Sequence, residues 1–129
     1  EVKSCLLLPG VSVRPWVERL EVYADPMLDR VFSNLIENAA RHGKSVSQVV
    51  STYQIRDDGL LVYVEDDGVG IPEPKKEEIF EYSAGRGGLG LFFVREILSI
   101  TGMTIAETGT PGEGARFEIH IPPDGYRIV

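Results

Sequence analysis

Leu28, Val31, Phe32, Leu35, Ile36 and Ala39 recur at intervals of three and four residues, which lays a single apolar stripe along a helix. Asp25-Pro26 supplies an N-cap followed by proline at the first helical position, and Gly43 closes the segment. Two β-rich runs come next, residues 46–56 and 60–66. They meet at Asp57-Asp58-Gly59, where the glycine supplies the positive φ of a tight antiparallel hairpin. Further on, a short helix is expected over residues 75–80 and a longer one over 89–101, ended by Gly102. Residues 103–108 and 115–121 read as two last strands around a turn at 109–114, and Pro122-Pro123 is expected to stop the sheet. Ahead of the first helix, residues 20–23 read as a short strand. Residues 2–13, broken at Pro9-Gly10, read as an irregular apolar strand. Helices and antiparallel pairs in this order predict an α+β domain: a two-layer α/β sandwich whose mixed, mainly antiparallel sheet is covered on one face by helices.

No repeat or linker divides the 129 residues, so one domain, 1–129, is expected. Hydrophobic residues at 43% and charged residues at 26% are ordinary globular usage and exclude a disordered or fibrous chain. The longest apolar leucine run, Leu6-Leu7-Leu8, is far short of the roughly 18 residues that span a bilayer, and no signal-peptide pattern is present. A lone Cys5 excludes an internal disulfide. The net charge of −7 counts against a nucleic-acid surface, which needs clustered Lys and Arg. Any anion this chain binds must therefore be held by local groups.

Four segments carry candidate chemistry. Asn34, Asn38 and Arg41 stand at i, i+4 and i+7 on the helix face opposite the apolar stripe. Asn is a poor helix former, and its amide oxygen is a hard ligand suited to Mg²⁺. In Glu65-Asp66-Asp67-Gly68-Val69-Gly70-Ile71-Pro72, acid at a strand end is followed by glycines. A carboxylate there can accept a hydrogen bond from an amine such as that of adenine, and the glycines let backbone approach a flat ring. Gly85-Arg86-Gly87-Gly88-Leu89-Gly90 opens a helix, where unpaired N–H groups make an anion site. The last segment is the glycine turn Gly112-Glu113-Gly114-Ala115. Taken singly, each also fits an ordinary polar helix face, hinge or turn.

In their order and spacing, over about residues 20–121, the four segments resemble the ATPase superfamily of gyrase, heat-shock chaperones, histidine kinases and MutL, which shares the Bergerat fold. The resemblance implies ATP and Mg²⁺ as ligands, with Asn38 holding the metal. It implies that Asp66 binds the adenine amine while Gly68, Gly70 and Ile71 shape that pocket. Asn34, Arg41 and His42 are expected beside the nucleotide. Gly87, Gly88, Leu89 and Gly90 are expected at the phosphates, where a lid hinges, and Gly112, Gly114 and Ala115 close the site. Asn38, Arg41 and Arg86 are the catalytic candidates, and His120 receives no role.

Members that split ATP with water carry Glu one helical turn before the metal-binding Asn, as general base. Here that position is Asn34, and Glu37 points about 100° away around the helix. A neutral imidazole needs no such base, because its ring nitrogen already has a lone pair. The chain thus looks like a histidine kinase catalytic domain. Ile79-Phe80-Glu81 resembles that family's phenylalanine box, although Tyr82 stands where a second Phe is expected and Asp67 where Asn is common.

The resemblance implies transfer of the γ-phosphoryl group of ATP to a histidine on a separate helical dimerisation domain, in two-component signalling, with the response regulator an indirect partner. No helical hairpin bearing such a histidine precedes Leu20, so the chain is expected to act in trans. The short lid between Ile71 and Gly88 is expected to be ordered by ATP. Neither nucleic-acid nor direct membrane partners are expected. The domain is placed in the cytoplasm, with a parent that is membrane-bound or soluble. The alternatives are a serine kinase of the anti-sigma-factor type, which generally has Glu at the place of Asn34, and a non-catalytic nucleotide-binding module.

Overall fold

Buried Phe117, Ile119 and Ile121 alternate with half-buried Arg116, Glu118 and His120, the period-two pattern of a strand with one face on a core. A computed structural model describes residues 12–14, 20–22, 28–42, 46, 48–81 and 89–128. In chain order the elements are β1 (Ser12–Arg14), β2 (Leu20–Val22), α1 (Leu28–His42), β3 (Gln48–Arg56), β4 (Gly59–Asp66), α2 (Leu89–Ile100), β5 (Thr104–Glu107), β6 (Arg116–Ile121) and β7 (Tyr126–Ile128). The main sheet has the order β1-β3-β4-β6-β5. Only β1 and β3 run parallel among its pairs, so the sheet is mixed and mainly antiparallel, as expected.

The stripe of α1 is buried at Val31, Phe32, Leu35, Ile36 and Ala39, while Arg30 and Glu37 are exposed. Helix α2 buries Leu91, Val94, Ile97 and Leu98. The helices pack on each other, α1 against β4 and α2 against β5, and one core joins them to Leu60, Val62, Val64, Phe117 and Ile119 of the sheet. Each such side chain withdrawn from water contributes about 1.5–3 kcal/mol. This is the two-layer α+β sandwich the pattern predicted. Gly102 ends α2 at φ +73°: its N–H donates to the Ser99 carbonyl at 3.1 Å, and the Met103 N–H donates to the Leu98 carbonyl at 3.0 Å. That paired closure satisfies two orphan carbonyls and tucks Met103 against Leu98 in the core.

Three local expectations need correction. The helix expected over 75–80 is a pair of 3₁₀ turns, Glu73–Lys75 and Glu78–Phe80, because six residues gain too little to nucleate an α-helix. The hairpin turns on Asp57 and Asp58, and Gly59 already belongs to β4, opposite Arg56. Its φ of +138° serves a close approach, since a Cβ there would lie 2.2 Å from the Ile121 carbonyl oxygen. Finally, Pro122 ends β6, but after the 3₁₀ turn Pro123–Gly125 the chain forms β7, antiparallel to β2 in a separate ribbon. The Asp25-Pro26 cap and most of the strand expected over 2–13 lie outside the described residues.

Candidate functional site

β4 ends at Asp66, and its neighbour β6 begins at Arg116, so the residues beyond each end meet. The Asp66 N–H donates to the Ala115 carbonyl at 3.0 Å. One carboxylate oxygen, Oδ1, accepts the N–H groups of Gly68 at 2.9 Å and Ala115 at 3.1 Å. Among the described residues no donor reaches Oδ2. The side chain is thus oriented by two backbone donors while its other oxygen keeps a lone pair to offer. Burial pushes the Asp66 carboxyl above its ordinary value of 3.8, against the opposing pull of the Gly68 and Ala115 amides. The negative charges of Asp67 and Glu107 add to the rise.

The glycines of the second and fourth segments interlock around this carboxylate. The Gly112 N–H donates to the Val69 carbonyl at 2.8 Å. Gly70 has φ +75°, and a Cβ on it would lie 2.9 Å from the Gly114 carbonyl oxygen. Gly114 has φ +115°, and its Cβ would fall 2.1 Å from the Asp66 carbonyl oxygen. Side chains are therefore excluded where the two turns touch. Ala115 is buried and Ile71 is half-buried against the core. An open cleft of about 210 Å³ lies here, walled by Glu65, Asp66, Thr108 to Thr110 and Glu113 to Arg116.

Helix α1 brings Asn34 and Asn38 to the layer over β4, one turn apart and half-buried. Neither amide has a hydrogen-bond partner among the described residues, and neither lines the cleft below Asp66. Gly90 lies in the first turn of α2, where a Cβ would meet nothing within 4 Å among the described residues. Packing among the described residues does not demand glycine there. Arg41, His42 and Leu89 belong to the helices, but their side chains are not described, and Arg86, Gly87 and Gly88 lie outside the described residues. His120 accepts no part in this site: Nε2 is 2.9 Å from the Asp58 carbonyl oxygen at the hairpin end of the sheet.

Sequence reasoning missed Lys76 and Glu107. Glu107, the last residue of β5, is fully buried at its side chain, and Oε1 forms an ion pair with Lys76 Nζ. Its Oε2 accepts the N–H groups of Gly109 at 3.1 Å and Arg116 at 2.9 Å. The one signal was Glu107 on the buried side of an otherwise alternating strand.

The family described as histidine kinase-, DNA gyrase B-, and HSP90-like ATPase matches residues 24–125, and the chain belongs to it. Its relatives and structural neighbours are of the histidine kinase branch. It is 39% identical over 101 residues to the alginate biosynthesis sensor protein KinB of Pseudomonas aeruginosa, covering 74% of this chain and 17% of KinB. Over 132 residues it is 32% identical to the signal transduction histidine-protein kinase AfsQ2 of Streptomyces coelicolor, covering 88% of this chain and 24% of that protein. The chain thus spans about a quarter or less of the length of these relatives. The ATP binding domain of PrrB from Mycobacterium tuberculosis superposes with a TM-score of 0.74 at 26% identity, covering 90% of this chain and 82% of that one. The catalytic domain of histidine kinase ThkA does so at 0.65 and 30%, covering 77% and 68%. The chain is accordingly an ATP-binding domain of the histidine kinase type. No helix among the described residues is long and apolar enough to cross a membrane.

Proposed function

We propose that this domain binds Mg²⁺-ATP with the adenine amine on Asp66 Oδ2 and passes the γ-phosphoryl group to a histidine on a separate helical dimerisation domain in two-component signalling. The observation that carries the reading is the fixed Asp66 carboxylate: Oδ1 is held by two backbone N–H groups, and Oδ2 is left for a donor. In this reading Gly68, Gly70 and Ile71 lie on one side of the base, and Gly112, Gly114 and Ala115 on the other. The catalytic unit spans the whole of residues 1–129, with its motif-bearing part in 20–121.

The donor set on α1 fits a hard cation. Asn38 offers a half-buried amide oxygen with no partner among the described residues, which suits Mg²⁺ sharing its shell with phosphate and water. Asn34, Arg41 and His42, also on α1, are expected to contact the nucleotide alongside Asn38. Mg²⁺, when bound, neutralises negative charge on the phosphates. The chain's own part is positioning: Asp66 and its glycines fix the base, and N–H groups around Gly87, Gly88, Leu89 and Gly90 bind phosphate at the start of α2. Arg86 then supports the transferring group, which accumulates charge in the transition state. Domain and acceptor both lie on the cytoplasmic side, and the response regulator takes the phosphoryl group afterwards.

Titration calorimetry tests the reading: ADP with Mg²⁺ is expected to bind the wild type, and Asp66→Asn is expected to weaken it by about 1–3 kcal/mol, since an amide NH₂ turned toward the adenine amine leaves two donors facing. Equal affinities in the two proteins would sink the assignment.

A further inference from the structure

Neither Lys76 nor Glu107 is among the residues proposed to touch the nucleotide, yet the pair ties together three pieces of chain that frame the site. Lys76 lies between the two 3₁₀ turns that lead from Ile71 toward the glycine-rich stretch. Its Nζ pairs with Glu107 Oε1 and also donates to the Gly109 carbonyl at 2.7 Å. The other oxygen of Glu107 accepts from the N–H groups of Gly109 and Arg116, at the two roots of the 109–115 turn. Gly109 closes down on this carboxylate: a Cβ there would lie 2.7 Å from Oε2. The side chains are 13% and 0% exposed, so the pair is shielded from water.

A buried ion pair is a poor device for stability, because desolvating two charges offsets most of their attraction and apolar replacements are often neutral or better. What it supplies that apolar packing does not is direction. Four donor–acceptor contacts fix the height and tilt of the turn roots, and the turn in turn delivers Gly112 to Val69 and Ala115 to Asp66 Oδ1. We propose that Lys76 and Glu107 are positioning residues for the nucleotide: a strap that holds the 109–115 turn in register with Asp66 and joins it to the 3₁₀ turns at 73–80. This rests on the ATP-site reading above.

The discriminating variant is the double substitution Lys76→Met with Glu107→Leu, which removes both charges together and keeps the volume apolar. Thermal unfolding without nucleotide and calorimetry with Mg²⁺-ADP are run on it and on the wild type. A merely structural role moves melting temperature and affinity together. The strap instead predicts cooperative unfolding at or above the wild-type temperature with ADP binding weakened by about tenfold or more, the scale expected when a site is misplaced by a fraction of an ångström. A double variant that is as stable as the wild type and binds ADP within about twofold of it overturns the strap alone, whereas a wild type that takes up no ADP overturns the ATP-site reading as well. Should the double variant not fold, hydrogen exchange on the nucleotide-free wild type decides. The Gly109 and Arg116 amides are expected to be as protected as that of Ile119 in β6, and free exchange at both overturns the proposal.

Discussion

Asp66 and Ala115 exchange two hydrogen bonds: the Asp66 N–H donates to the Ala115 carbonyl at 3.0 Å, and the Ala115 N–H returns to the Asp66 carboxylate at 3.1 Å. The first continues the sheet ladder one step beyond β6. The second spends a side-chain oxygen on the turn, so the carboxylate and the glycine turn cannot move independently.

This reciprocity separates stability from binding at Asp66. Asn at this position keeps an Oδ1 for the Gly68 and Ala115 amides but carries no charge to desolvate. Since burial raises the Asp66 pKa above 3.8, the folded state holds a proton more tightly than the unfolded one, and the ionised carboxylate lowers stability at neutral pH. Asp66→Asn is therefore expected to melt higher than the wild type at pH 7. The gap should narrow as pH falls through the raised folded pKa and close below 3.8, where the wild type is neutral in both states. Paired melting curves across that range check the sign. A variant that melts lower at pH 7 and stays lower in acid would show that the charge is not the penalty.

Asn38 invites a simpler comparison. Its amide has no partner among the described residues, and Asn is intrinsically poorer in helices than Ala. Asn38→Ala should leave the nucleotide-free domain unchanged or more stable by up to about 0.7 kcal/mol. The same change should abolish the gain in ADP affinity on adding Mg²⁺. Calorimetry with and without the metal reads this directly, and an undiminished Mg²⁺ effect removes Asn38 from the metal site.

The layers and the core face of α1 were legible in the sequence because each rests on a local rule, helical spacing or strand alternation, whereas the glycine segments were set at one site only by the family resemblance. What escaped depends on partners far apart. Glu107 finds Lys76 across 31 positions, and each alone is an ordinary surface charge. Strand β7 was missed because the two prolines at 122 and 123 do end the main sheet, and its pairing with β2 links opposite ends of the chain. The Lys75-to-Phe80 region was mistaken for a helix because its composition suits one while its length does not.

The glycines themselves divide into two kinds. Gly114→Ala places a methyl 2.1 Å from the Asp66 carbonyl oxygen at φ +115° and should destabilise the fold by about 2–4 kcal/mol. Gly90→Ala meets no atom of the described residues and should stabilise the nucleotide-free domain by roughly 0.5 kcal/mol. If the space beside Gly90 is reserved for phosphate, that more stable variant should still lose ADP affinity by about tenfold. Chemical denaturation and calorimetry on the two variants settle both halves. Undiminished ADP binding by Gly90→Ala would mean that the space is empty for another reason.

The last prediction concerns where the phosphoryl group goes. The chain has two histidines. His120 is held at the Asp58 carbonyl and pairs across the sheet with Leu61, which is five residues up β4 from Asp66 and so roughly 17 Å away at strand rise. His42 is the last residue of α1, and the role proposed for it is contact with the nucleotide rather than acceptance. Incubated with radiolabelled ATP, the chain alone is expected to remain unlabelled. Adding a helical domain that carries the acceptor histidine should give slow labelling that is lost in acid, as phosphohistidine is and phosphoserine is not. Because only interactions stronger in the transition state accelerate transfer, Arg86→Ala should slow labelling far more than it weakens ADP binding, on the order of a hundredfold against less than about threefold. Stable label on His42 or His120 of the lone chain would falsify transfer in trans, and a wild-type rate with Arg86→Ala would leave the arginine no part in the reaction.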